Sequence, residues 1–308
     1  MTLAIRREAQ ELWLNNLRSD DRVLVTGAAG WFGRTAIAMT REAGLEMLAT
    51  GSKDQQIEID GKSQAVQAQS LYVISAFKPT VVIDTAFVTR ERLPILGHKA
   101  YIETNQKLID QSLYIAALPS VRKYIGFSSG ATMHLAGHTS FSLEENPYAA
   151  QKRIYESKIS ELAANLQSDI SVARVWSVTG SYCTKPQTFA FTDLIAQAKS
   201  GLIEIKAKHL VYRRYCALED VLALAMLPSS PEGNPIFNTG GDLIELGELA
   251  KIVVDLVNPN AEIRRQFNPQ LTPDDYHSDS KDWGQLVQSA KVTNDSISDQ
   301  ITRVAGGS

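Results

Sequence analysis

VTGAAGWFG, residues 25–33, sets the architecture of this chain. Gly27, Gly30 and Gly33 follow the apolar run Val23-Leu24-Val25 directly and open a helical pattern over 33–42. Glycines at this spacing permit a tight turn and close approach of backbone to a ligand. The helix that follows aims its N-terminal N–H groups at negative charge. Strand, glycine turn and helix in that order are the context of a dinucleotide-phosphate site. An ordinary glycine-rich turn is the competing reading, and the strand before and helix after weigh against it.

Outward from that loop, short apolar runs alternate with longer helical patterns. The runs at 22–26, 46–50, 80–84, 123–128 and 170–176 read as strands, and 65–77, 101–117 and 148–166 read as helices. Such alternation predicts a parallel sheet with helices on both faces. Before the first strand, Leu3, Ile5, Leu12, Trp13, Leu14 and Leu17 predict a short amphipathic helix. Breaks rich in Pro and Gly fall at 228–241 and 258–273, and the polar stretch 287–308 predicts a frayed tail.

Composition narrows the function. A net charge of −3 gives no electrostatic reason to expect nucleic acid or an anionic membrane as partner. No run approaches eighteen consecutive apolar residues, so no membrane span is expected. The charged N-terminus is unlike a secretory signal, and Cys183 and Cys216 make no disulfide framework, so a cytoplasmic location is expected. His134 and His138 lie four apart in a loop pattern with no third ligand nearby, so no metal site is expected.

Tyr148 and Lys152, in PYAAQK, form the chain's one Tyr-x-x-x-Lys and share a helix face. A neighbouring ammonium favours the phenolate and lowers the phenol's pKa, which suits Tyr148 to carrying protons in carbonyl–alcohol chemistry.

The Gly-x-x-Gly-x-x-Gly spacing after Thr26 resembles the short-chain dehydrogenase/reductase superfamily, in its extended branch, the NAD-dependent epimerase/dehydratase family. Further along, VVIDTAF (81–87) resembles the family's nicotinamide-ribose loop, and Asn105 in YIETNQKLI its helix asparagine. YIGFSSGATM (124–133) resembles the strand ending in the catalytic serine, and PYAAQKRIYE (147–156) the Tyr–Lys helix. YRRYCALEDV (212–221) and FNTGG (237–241) resemble its Arg-Asp-Phe segment and return strand. The helix before the first strand and the SSGA sequence point to the subgroup from bacterial O-antigen and deoxysugar pathways.

The resemblance implies a Rossmann-type doubly wound α/β sheet over 1–177 and 217–239. A smaller, interleaved substrate domain would cover 178–216 and 240–308. It implies NAD(P) as cofactor, a nucleotide-diphosphate sugar as substrate, and pairing into a homodimer. The catalytic residues it implies are Ser129, Tyr148, Lys152 and Asn105, with Ser128 as the alternative hydroxyl; a second alignment places Gly130 in that role. For cofactor it implies Gly27, Gly30, Trp31, Phe32 and Gly33, the loop Thr85-Ala86-Phe87, and Tyr148 and Lys152 again. Relatives that bind NAD often carry an acidic residue after the second strand. Here Thr50-Gly51-Ser52-Lys53 stands there, so Ser52 and Lys53 favour NADP, while Asp54 is a late alternative for NAD. Substrate contacts fall to Ser129, Ser177 and Arg213, a diphosphate clamp with Arg214 as its competitor; Cys183 is a lining residue. Family dehydratases follow the catalytic hydroxyl residue with Asp-Glu, and 3,5-epimerases place Cys two residues after it. Gly130 and Ala131 stand here, which favours a 4-epimerase or 4-ketosugar reductase. A reductase of a non-sugar carbonyl and a non-catalytic dinucleotide sensor are the competing functions.

Overall fold

The structure is a computed structural model that describes residues 5–228 and 234–306. Strand β1 (Arg22–Thr26) buries Val23, Leu24 and Val25 completely. Side chains alternate across a strand, so Val23 and Val25 enter one apolar layer and Leu24 the other. A strand buried on both faces belongs to a parallel sheet covered by helices. β1 pairs in parallel with β2 (Glu46–Ala49). After a hairpin of β3 (Gln55–Ile59) and β4 (Lys62–Val66), the chain returns as β5 (Val81–Asp84) on the other side of β1. β6 (Lys123–Ser129) and β7 (Asp169–Val175) extend the sheet.

The smaller unit begins with β8 (Val178–Thr179), β9 (Leu202–Ile205) and β10 (Val211–Ala217). β11 (Ile236–Asn238) then rejoins the large sheet, whose order is β11-β7-β6-β5-β1-β2. β12 (Asp242–Glu245) pairs antiparallel with β10, β13 (Glu262–Arg265) pairs with β9, and β14 (Asp274–Asp275) pairs in parallel with β10. The order reverses between β1 and β5, and in such sheets ligands bind at that crevice beyond the strands' C-terminal ends.

Helices Trp31–Arg41 and Leu218–Ala225 cover one face of the large sheet, and His98–Ala116 and Pro147–Ala163 cover the other. The N-terminal helix forms over Arg7–Asn15, with Trp13 fully buried and Ile5, Leu12, Leu14 and Leu17 packed beside it. Leu3 lies outside the described residues.

Two expectations need correction. The helix expected over 65–77 begins only at Leu71, because 62–66 is strand β4. Its cause is the Asp60-Gly61 turn, with φ of 52° and 69°, which suits a two-residue hairpin between Ile57/Ile59 and the strand that follows. The frayed tail is instead a helix, Ile297–Gly306, that buries Ile297, Gln300, Ile301 and Val304 in the smaller core. Positions 297, 300, 301 and 304 fall on one helical face, a period that the polar composition hides. Residues 307–308 and 229–233 lie outside the described residues.

Candidate active site

The glycine loop is built for close approach. Gly27 has φ of +60°, and a Cβ there would stand 2.7 Å from Thr85 Oγ1 and 2.9 Å from Ala86 N. A Cβ on Gly33 would meet Ala28 Cα at 2.6 Å and Gly27 O at 2.7 Å. Gly30 caps the helix Trp31–Arg41 without any side-chain cap, so the first-turn N–H groups stay open to a ligand. The side chains of Trp31 and Phe32 pack inward, against Phe189 and Phe127 at 4.9 Å between ring centroids in each case. These two positions therefore offer a ligand backbone groups.

Thr26 ties this loop to the next one. Its hydroxyl donates to Asp84 and accepts from the N–H groups of Thr85 and Ala86 at 3.2 and 3.3 Å. Thr85 Oγ1 donates back to Thr26 O at 2.7 Å. A cavity of about 400 Å³ opens beside both loops, lined by Gly27, Gly51, Ser52, Ala86 and Phe87 among others. That volume suits a small-molecule or cofactor site, and the glycine cradle, the uncapped helix start and this cavity together fit a dinucleotide. A depression of about 590 Å³ at the outer sheet edge, lined by Ile236, Phe237 and Leu286 among others, shares no residue with this region.

At the ribose end, Ser52 lines the cavity and Lys53 is exposed beside it. Asp54 Oδ1 accepts the N–H of Ala68, itself a lining residue of the cavity, at 2.8 Å. That contact holds the loop to the segment after β4, a task for which the carboxylate was not foreseen.

Tyr148 and Lys152 lie on one helix, started by Asn146 as N-cap and Pro147 at its first turn. Lys152 is buried; its Nζ donates to Phe127 O at 2.8 Å and sits 3.7 Å from the centroid of the Phe87 ring. Burial pushes its ammonium down to about 7, opposed by the carboxylates of Asp84 and Glu156. Tyr148 is half-buried against Phe87, at 5.9 Å between ring centroids. Its phenol is pushed up to about 12 by burial, with the Ser129 hydroxyl acting in the opposite direction. The ring's remaining exposure limits that rise, yet the sign differs from the lowered phenol expected from a neighbouring lysine. Burial decides the sign, and the Lys152 ammonium is engaged by a carbonyl and an aromatic face.

The two serines part company. Ser128 donates to Glu156, a carboxylate that also receives Thr132 and a two-point contact from Arg174 at 2.9 and 2.7 Å. The Ser129 hydroxyl instead accepts the Ala131 N–H at 3.2 Å. Gly130 has no room for a side chain, since a Cβ would stand 2.4 Å from the Trp176 indole. Asn105 is fully buried and bridges both backbone groups of Val88, accepting at 2.8 Å and donating at 3.0 Å. It shapes the loop after β5 and turns neither end toward Tyr148.

From the smaller unit, Arg213 is already paired. It contacts Asp274 Oδ2 at 2.6 Å and donates to the carbonyls of Tyr212 and Asp274 at 2.8 and 3.1 Å. Arg214 donates to Ser278 O and Gly241 O, both at 3.0 Å. Ser177 and Cys183 are half-buried in the segment that follows β7, and burial raises the Cys183 thiol. His138 contacts Arg90, while His134 accepts the Ala136 N–H; no cluster of three metal-ligating side chains occurs among the described residues.

One residue was missed. Tyr276 brings its hydroxyl to 3.4 Å from Ser129 Oγ, with Trp176 at 5.0 Å and His134 at 5.3 Å between ring centroids. Burial raises its phenol. No local pattern announces it, because pairing of Asp274-Asp275 with Val211-Tyr212 on β10 delivers it.

Among the described residues, no helix is long and apolar enough to cross a membrane. No curated protein matches the chain in sequence. Several solved structures share its fold. An epimerase of the methanogen Methanothermobacter thermautotrophicus is 18% identical, covering 98% of this chain and 95% of its own, with a TM-score of 0.69. A UDP-glucose 4-epimerase of Thermotoga maritima, solved with UDP-glucose, is 16% identical over 93% and 98%, also at 0.69. A GDP-mannoheptose C4 reductase of Campylobacter jejuni, solved with NADP, is 13% identical over 94% and 99%, at 0.68. The sequence pattern of the NAD dependent epimerase/dehydratase family matches residues 23–240, and the chain belongs to that family.

Proposed function

We propose that this protein is an NAD(P)-dependent 4-epimerase or 4-ketosugar reductase acting on a nucleotide-diphosphate sugar, with Tyr148 as its proton carrier. The observation that carries the reading is that Tyr148 and Lys152 both pack on the Phe87 ring, 5.9 Å between ring centroids for Tyr148 and 3.7 Å from centroid to Nζ for Lys152, at the edge of the glycine-lined cavity. The bound cofactor supplies hydride exchange at its nicotinamide ring. Its pyrophosphate would be held by the Gly27–Gly33 turn and the uncapped helix start. Lys152 would hold the ribose, and Ser129 and Tyr148 would orient the reacting hydroxyl or carbonyl and exchange its proton. UDP-glucose and NADP in the two structures named above lend the substrate and cofactor classes their support. NADP is favoured over NAD because Ser52 and Lys53 stand where a carboxylate would repel a 2′-phosphate, and Asp54 is occupied with Ala68.

The test is Tyr148→Phe, assayed on a panel of nucleotide hexoses and 4-ketohexoses. Phenylalanine keeps the contact with Phe87 and loses one hydroxyl, so turnover should fall about 10²–10⁴-fold with the fold intact. Near-normal turnover would overturn the assignment.

A further inference from the structure

Below Lys152 lies a carboxylate that the proposed chemistry does not use. Asp84 ends β5 and is buried. Thr26 donates to its Oδ1, and the Tyr124 hydroxyl donates to Oδ2 at 2.6 Å. The Tyr124 hydroxyl also meets that of Tyr155 at 3.1 Å. Asp84, Ser112, Lys152 and Tyr155 border one small void of about 20 Å³, the size of a single water molecule. Among the described residues no cation lies within ion-pair distance of Asp84, so hydroxyl groups alone hold its charge in place.

The charges facing Lys152 are few. From its own helix come Glu156 and the phenols of Tyr148 and Tyr155; from β6 comes Tyr124, and from β5 comes Asp84. Burial raises all three phenols, so they stay neutral around pH 7. Glu156 is offset by Arg174, which meets both of its oxygens. Asp84 alone presents a negative charge with no cation beside it, across a small gap, where little water screens the interaction.

We propose that Asp84 is a positioning residue whose buried charge opposes the loss of the Lys152 proton that burial favours, so that the ammonium persists to higher pH than it would without this carboxylate. The proposal rests on the reading of Lys152 as the site lysine. A neutral amine in this pocket would lose its charge-assisted bond to Phe127 O and its attraction to the Phe87 ring.

Lysine-selective isotope labelling with NMR reads the Lys152 titration directly, the signal being assigned by its loss in Lys152→Met. Asp84→Asn keeps the volume and an acceptor for Thr26 or Tyr124 but removes the charge. The Lys152 midpoint should then fall by about one unit or more. Tyr124→Phe disturbs the same hydrogen bonds and keeps the charge, so it should move the midpoint by less than half as much. An unchanged midpoint in Asp84→Asn, or equal shifts in both variants, overturns the proposal. The measurement needs no turnover. A fallen midpoint beside normal activity in Tyr148→Phe would leave this coupling standing and remove the catalytic reading.

Discussion

Binding of a reduced dinucleotide to this protein should take up protons above neutral pH. In the free protein, burial holds the Lys152 ammonium down to about 7. At pH 8 about ten of these side chains are then neutral for each one charged, and at pH 7 about half are neutral. Ribose hydroxyls and phosphate charges favour the charged form, so binding must protonate the lysine. The uptake is about 0.5 proton per site at pH 7 and about 0.9 at pH 8. Affinity falls toward tenfold per pH unit above 7, or about 1.4 kcal/mol per unit. Calorimetric titration with NADPH in two buffers of different ionisation enthalpy reads the proton number directly, and above pH 7 the 2′-phosphate is largely ionised and adds little of its own. Lys152→Met should abolish the uptake. A proton number near zero at pH 8, or an uptake that survives Lys152→Met, would refute the reasoning. The folded state carries the opposite side of the same linkage. Lys152 titrates near 7 when folded and at its ordinary 10.5 when unfolded. Between those values the unfolded chain binds more protons, so this lysine makes stability rise with pH across that window.

Further outcomes follow from the same contacts. NADPH should bind at least as well as NADH, and Lys53→Ala should narrow any gap; an NADH preference that survives Lys53→Ala would show that no phosphate is read at Ser52-Lys53. In Gly130→Ala the new methyl would stand 2.4 Å from an indole held by Asn238 at 3.0 Å, so the ring must give way. That overpacking should cost about 1–3 kcal/mol in denaturant unfolding, and full stability would mean the indole does not lie over Gly130. Incubation of nucleotide hexoses in deuterated water should leave C5 unlabelled and give no 4-keto-6-deoxy product, because neither Gly130 nor Ala131 can move a proton. If label does enter C5, Tyr276→Phe should remove it, since Tyr276 is the second phenol at Ser129.

Strands and helices of the large sheet were legible because their signals are local. β1 falls on the residues expected, β5 and β6 differ by one residue at one end, and β7 is shifted by one residue. Both faces of each strand are apolar, so burial and sequence agree. The hairpin β3–β4 carried an equally local signal in Asp60-Gly61 flanked by Ile57 and Ile59, and a helical reading of 65–77 overrode it. The C-terminal helix was harder to see, because its four buried positions are separated by Ser, Asp, Thr and Arg.

Side-chain direction is where a sequence stops speaking, and the two serines show why. Ser128 and Ser129 are adjacent hydroxyls at a strand end, and the pleat sends one to Glu156 and the other toward Tyr276. Asn105 was expected among the catalytic residues, and both its amide ends are taken by Val88, seventeen residues away. Arg213 was expected to await a phosphate and instead holds Asp274, sixty-one residues on. For Asn105 and Arg213 the partner is decided by the fold and not by adjacent residues. Tyr276 is the limiting example: it reaches Ser129 across 147 residues, only because β14 docks on β10. The glycine turn and the Tyr148–Lys152 helix thus rest on local sequence, whereas the contact of Tyr276 with Ser129 rests on long-range pairing. The chemistry common to a family is therefore readable from motifs, whereas the residues that separate one substrate from another become visible only in the folded chain.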